Sequence, residues 1–190
     1  KLREGMNLYK VSEAMTGSLS LEHILEIILE TTKSELDADA VSLILEEPRE
    51  SENDPRLYIT HTLSEHQEAK GVFGEVDYES MLEYFGGNAY LFFSGPKAKR
   101  MFRKPPEKKG LSSLLSVPLK ARDEILGVIN AYSFRKNYRF SEGQAKVMII
   151  LASRASQAIA NARLFENLQR TFRETIQGLV GTLEAKDKYT

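Results

Sequence analysis

The chain has 190 residues, 42% hydrophobic and 28% charged, enough apolar material for one core with helical extensions. A net charge of -1 gives no overall pull toward nucleic acid or an anionic membrane. With no cysteine, a disulfide framework, thiolate metal ligands and any cofactor tethered through sulfur are excluded.

Leu2 to Met15 is weakly amphipathic, and residues 1–17 are read as an N-terminal helix closed by Thr16-Gly17-Ser18. Ser20 is placed to cap a stronger helix whose stripe is Leu21, Ile24, Leu25, Ile28, Thr32 and Leu36. Ala40 to Leu45 is β-rich and apolar on both faces apart from Ser42, which marks an interior strand. A polar, acidic turn over Glu46 to Pro55 leads to a returning strand, Arg56 to His61. A helix is expected over Tyr78 to Phe85, stopped by Gly86-Gly87. Ala89 to Ser94 reads as a strand and Pro96 to Arg103 as a short basic helix. Ser112 to Leu119 and Glu124 to Phe134 form the clearest hairpin. Ser141 and Gln144 then make a capping box at the head of a helical pattern that runs to Thr190. Consecutive strands on short turns predict an α+β fold, an antiparallel sheet with helices packed on it. Lacking an initiator Met and ending inside a helical pattern, the chain is expected to be a piece of a longer protein. Its longest apolar run, Val147 to Ala152, is far too short for a bilayer, and no secretory signal is visible. A cytoplasmic location is the expectation.

Five segments in this order resemble the GAF domain family: Leu36 to Leu43, Gly110 to Leu119, Glu124 to Ile129, Phe140 to Gln144 and Gln157 to Glu166. The resemblance spans residues 18–168 and leaves 169–190 as a signalling helix and linker. It implies a sheet with helices on one side and a small-molecule pocket or dimer surface on the other, in a sensory module without catalysis of its own. A thioether-linked bilin is excluded by the missing cysteine, and the family's Asn-Lys-x-Asp cyclic-nucleotide signature has no counterpart. Leu183 to Thr190 also resembles the segment that introduces HD-GYP phosphohydrolase domains, which implies a downstream enzyme acting on a cyclic dinucleotide.

Pocket candidates follow from strand faces. Val41, Leu43 and Leu45, the fully apolar set, suit the helix side, which leaves Ser42, Tyr90, Phe92, Ser94, Ser116 and Tyr132 to line a cavity or to fill the sheet. Pro118 belongs at an edge or a bulge, and Gly127 marks a close approach of backbone or ligand. Lys97, Lys99, Arg100 and Arg103, with Lys104, Lys108 and Lys109, form a basic segment. It reads as a solvated loop, as a lid attracting an anionic ligand, or as a nucleic-acid contact, against which the charge balance speaks.

In the last helix Leu151, Ala155, Ala158 and Ala162 continue into Phe165, Phe172, Ile176, Leu179 and Leu183 at alternating steps of four and three, with Gln169 the polar member. The first part packs on its own sheet. The second is expected to pack on a second copy, so that the terminal helices form a parallel dimer bundle. Gly178 and Gly181 interrupt it as a pliable junction or a frayed end. Enzyme readings find no support: His61 and His66 have no helical metal-pair spacing, and no P-loop or dinucleotide fingerprint is present.

Overall fold

A computed structural model describes residues 20–49, 51, 57–64, 75–95, 97, 102–104, 110–122 and 124–187 of the chain. The helix expected over Leu2 to Met15, residues 52–55 of the acidic turn, His66, and Lys99, Arg100, Lys108 and Lys109 lie outside the described residues. For Arg103, Lys104 and Leu183 only the backbone is described.

Helix α1 covers Leu21–Leu36. Ser20 caps it by accepting the His23 N–H, and Asp37 closes it in the left-handed conformation at φ 47°. Strands β1 (Ala40–Glu46) and β2 (Tyr58–Ser64) pair antiparallel, with Ala40 opposite Ser64 and Glu46 opposite Tyr58. The two-residue β3 (Glu75–Val76) precedes α2 (Tyr78–Phe85), which Asp77 caps and Gly86 ends at φ 41°. Then come β4 (Leu91–Ser94), β5 (Phe102–Lys104), β6 (Ser113–Ala121), β7 (Glu124–Ser133) and α3 (Glu142–Asp187). The main sheet is antiparallel with order β2-β1-β7-β6-β4, and β3 pairs with β5 apart from it.

The sheet separates two cores. On one face Val41, Leu43, Leu45, Leu115, Val117, Leu119, Ile129 and Ala131 meet α1 and the first five turns of α3, through Ile24, Ile28, Met148, Ala155 and Ile159. On the other, Ala40, Ile44, Leu114, Val128 and Tyr132 lie under Tyr78, Met81 and Phe85 of α2 and Phe102 of β5. The basic helix expected over Pro96 to Arg103 is therefore corrected at its end. Phe102 and Arg103 belong to β5, because pairing with β3 supplies a ladder and Phe102 buries its ring in the second core.

Two backbone expectations resolve. Pro118 sits on β6 opposite Val128, past Leu91, the first residue of β4, so its outer side is locally an edge with no ladder donor to satisfy. Gly127 lies between Leu45 and Leu119, and a Cβ there would stand 2.1 Å from the Ile44 carbonyl oxygen, so backbone rather than ligand makes the approach.

The capping box at the head of α3 is formed. The Ser141 N–H donates to Gln144 Oε1 at 2.9 Å, and the Gln144 N–H donates to Ser141 Oγ at 3.2 Å. The helix runs 46 residues, about 70 Å. Its seam splits where the sheet ends: Leu151, Ala155, Ala158 and Ala162 are buried, whereas Phe165, Phe172, Ile176 and Leu179 are exposed.

Candidate functional site

A row of polar side chains crosses the face opposite the long helices. The register places Thr62, Ser42, Asn130, Ser116 and Leu91 side by side on β2, β1, β7, β6 and β4. Ser116 Oγ donates to Asn130 Oδ1 at 2.6 Å, and Asn130 Nδ2 donates to Ser42 Oγ at 3.3 Å. Ser42 Oγ lies 2.6 Å from the Tyr132 hydroxyl, and either group can be the donor. Ser42, Ser116, Asn130 and Tyr132 are at most 2% exposed. Burial pushes the Tyr132 phenol well above its ordinary range, against hydrogen bonds from Ser42 and Asn130 that pull it down. The phenol is therefore neutral and serves as a hydrogen-bonding group.

Ser42, Ser116 and Tyr132 thus come together as the strand faces suggested. Tyr90, Phe92 and Ser94 do not. Leu91 stands opposite Ser116 and Phe93 opposite Leu114, so Leu91 and Phe93 are the β4 residues that face the row. Phe92 stands opposite Leu115 and Ser94 opposite Ser113 on the helix face, where Tyr90 packs against the first core. The three candidates are one residue out of register, and a slip of one turns every side chain of a strand to the other face. Asn130, which joins the two serines, was missed. Its one sequence signal is an amide set inside the apolar run from Ile125 to Ala131.

Over the row lies a cap made by α2 and β5. Tyr78 packs against Tyr58 with ring centroids 4.4 Å apart and planes inclined by 47°, and Phe102 reaches within 6.2 Å of the Tyr132 ring centroid. The row has donors and acceptors for a small polar molecule, but it spends them on itself, so such a molecule must displace Tyr132 or lift the cap. Of the lid candidates Lys97 is exposed, and Arg103 is placed by its β5 backbone. His61 pairs with Leu43, which belongs to the helix-side core, and so sits on the face away from the row. Among the described residues no cluster of His, Asp and Glu could hold a metal ion.

A second polar cluster, also missed from sequence, ties the start of β1 to the approach of α3. Asp39 Oδ2 accepts from the Phe134 N–H at 2.6 Å and from Ser133 Oγ at 2.9 Å. Arg135 donates to Asp37 Oδ2 at 2.6 Å and to the Asp37 carbonyl, and its guanidinium lies 4.0 Å over the Tyr138 ring. No helix among the described residues is long and apolar enough to cross a membrane.

Residues 18–160 match the family model described as GAF domain. The chain is similar in structure to the GAF domain of the Acinetobacter phosphoenolpyruvate-protein phosphotransferase, at TM-score 0.62 and 19% identity, covering 86% of this chain and 96% of that one. It is also similar to a GAF domain/HD domain protein from Geobacter sulfurreducens, at TM-score 0.58 and 14% identity, covering 79% and 99%. The GAF-B domain of DevS from Mycobacterium smegmatis aligns at TM-score 0.52 and 14% identity, covering 80% and 99%. No curated protein matches the chain by sequence.

Proposed function

The chain belongs to the GAF domain family, and we propose that it is a non-catalytic regulatory module that signals through a dimeric α3 to an output domain past Thr190. The observation that carries this reading is the exposed ridge of α3. Phe165, Leu168, Phe172, Ile176 and Leu179 follow one another at helical spacing with 46–69% of each side exposed. Five large apolar side chains in water gain roughly 1.5 kcal/mol or more each when buried, and a parallel second copy buries like against like along one seam.

The signal in this reading is a small molecule held between the polar row and the cap of α2 and β5, with Lys97 and its basic neighbours drawing in an anionic group. The output is a phosphohydrolase of the HD-GYP kind acting on a cyclic dinucleotide. Its support is the likeness of Leu183 to Thr190 and the Geobacter sulfurreducens protein, whose name joins a GAF domain to an HD domain.

One observation favours a second reading, a dimerisation module that holds no ligand. Ser42, Asn130, Ser116 and Tyr132 satisfy one another while fully buried, which a module without a ligand needs. Native mass spectrometry before and after denaturation separates the two. A dimer carrying a small extra mass that is lost on denaturation supports the sensor. A bare dimer with no thermal shift across nucleotides and metabolites supports the dimerisation module, and a monomer refutes the dimeric helix in both.

A further inference from the structure

Arg163 stands where α3 leaves the domain. Ala162 is buried, Arg163 is half-buried, and every residue from Leu164 to Thr182 is exposed. Its Nη2 donates to the Glu46 carbonyl at 2.7 Å, at the last residue of β1. Past that contact α3 continues for 24 residues to Asp187, about 36 Å.

The same strand end carries the cap. Glu46 pairs with Tyr58, and the Glu47 N–H donates to the Leu57 carbonyl at 2.9 Å. Tyr58 packs its ring against Tyr78, the first residue of α2, which is buried with Met81 and Phe85 in the second core. Burial pushes the Arg163 guanidinium down, while Glu166, Glu46, Glu47 and the Tyr78 phenol hold it up. It stays charged, since arginine starts so high. A charged donor on a carbonyl makes a stronger bond than a neutral pair.

We infer that Arg163 is a positioning residue that ties the exit direction of α3 to the placement of the α2 cap. A shift of α2 moves Tyr78, Tyr58 follows through the tilted ring contact, and the paired strand end carries the Glu46 carbonyl with it. Arg163 keeps its bond by adjusting the helix. A tilt of about 5° at Arg163 displaces Asp187 by about 3 Å, given the rise per helical residue. The seam past Phe165 then meets its surroundings in a different register, which is how small displacements at one site become discrete changes at another.

The inference rests on α3 as the output element, but its test is read within one chain. A monomeric mass would remove the dimer and leave this test standing. Hydrogen exchange is measured on the whole chain, on Phe85→Leu, which unseats α2 from the second core without touching Arg163, on Arg163→Gln and on the double variant, following the amides from Ala158 to Leu168. Phe85→Leu should change their exchange by between about twofold and thirtyfold. The same substitution on Arg163→Gln should leave them unmoved, and Arg163→Lys should restore part of the response. Met81→Leu, a volume-conserving change in the cap, repeats the cycle if Phe85→Leu fails to fold. Equal responses with and without Arg163, or none in the chain that keeps Arg163, overturn the inference.

Discussion

Replacing Asn130 by Asp tests whether the polar row is as dry and self-contained as its geometry shows. The change keeps the side-chain shape and the Oδ1 acceptor for Ser116 at 2.6 Å, but it puts an oxygen where Nδ2 donates to Ser42 at 3.3 Å. The site is fully buried, and among the described residues its polar neighbours are the hydroxyls of Ser42, Ser116 and Tyr132, with no cation among them. A carboxyl at such depth is raised by about three pH units over its unfolded value. Between the two pKa values the folded chain then holds more protons than the unfolded one, so stability falls as pH rises. The cost of Asn130→Asp relative to the parent chain should be small near pH 4 and reach about 4 kcal/mol by pH 7. Urea unfolding of both proteins at several pH values reads it directly. A penalty that does not change with pH would show that water or a counter-charge reaches the row, and the closed-site reasoning would be wrong.

Gly127→Ala forces a Cβ to within 2.1 Å of the Ile44 oxygen and 3.1 Å of Leu45 Cα, both backbone atoms. A loss of roughly 3 kcal/mol or more in chemical unfolding is expected, and a loss under about 1 kcal/mol would mean that β1 and β7 can part there. Thr32 is fully buried in α1, and its hydroxyl has no hydrogen-bond partner among the described residues. Thr32→Val should therefore stabilise the fold by about 1 kcal/mol in the same assay, and a destabilised variant would show that the hydroxyl is satisfied. Asp39→Ala strips the acceptor from the Phe134 N–H and Ser133 Oγ and loosens Arg135. About 2–3 kcal/mol should be lost, with faster exchange at residues 133–140 as the local sign.

Much of this fold was legible because its signals are local. The stripe of α1, the Ser141–Gln144 box and the alternation of Val41, Leu43 and Leu45 each depend on a period or a spacing within a few residues. The face of β4 was not legible. Tyr90-Leu-Phe-Phe93 has no contrast at a period of two, and at this sheet edge the register is set by β6 and by the Gly95 N–H on the Ser112 carbonyl. The strand β5 was hidden for a related reason: it has three residues, two of them basic, and its partner β3 lies far back in the chain. Asn130 and Asp39 were passed over because their partners come from other strands, so no spacing announces them. Arg163 is harder still, since it bonds a backbone carbonyl, which leaves no mark on any other residue type.

The proposed signalling depends on α3 forming a parallel seam with a second copy. Because the chain has no cysteine, a single cysteine at Gln157 or at Thr182 is its only thiol and takes a spin label cleanly. The distance between labels in the assembled protein should be the same at both sites, on the order of 20–30 Å, set by helix axes 8–10 Å apart plus the label tethers. In an antiparallel pair at least one of the two distances carries an axial offset of about 38 Å or more. Unequal distances, distances of about 40 Å or more at either site, or no dipolar signal, would contradict the proposed transmission through α3.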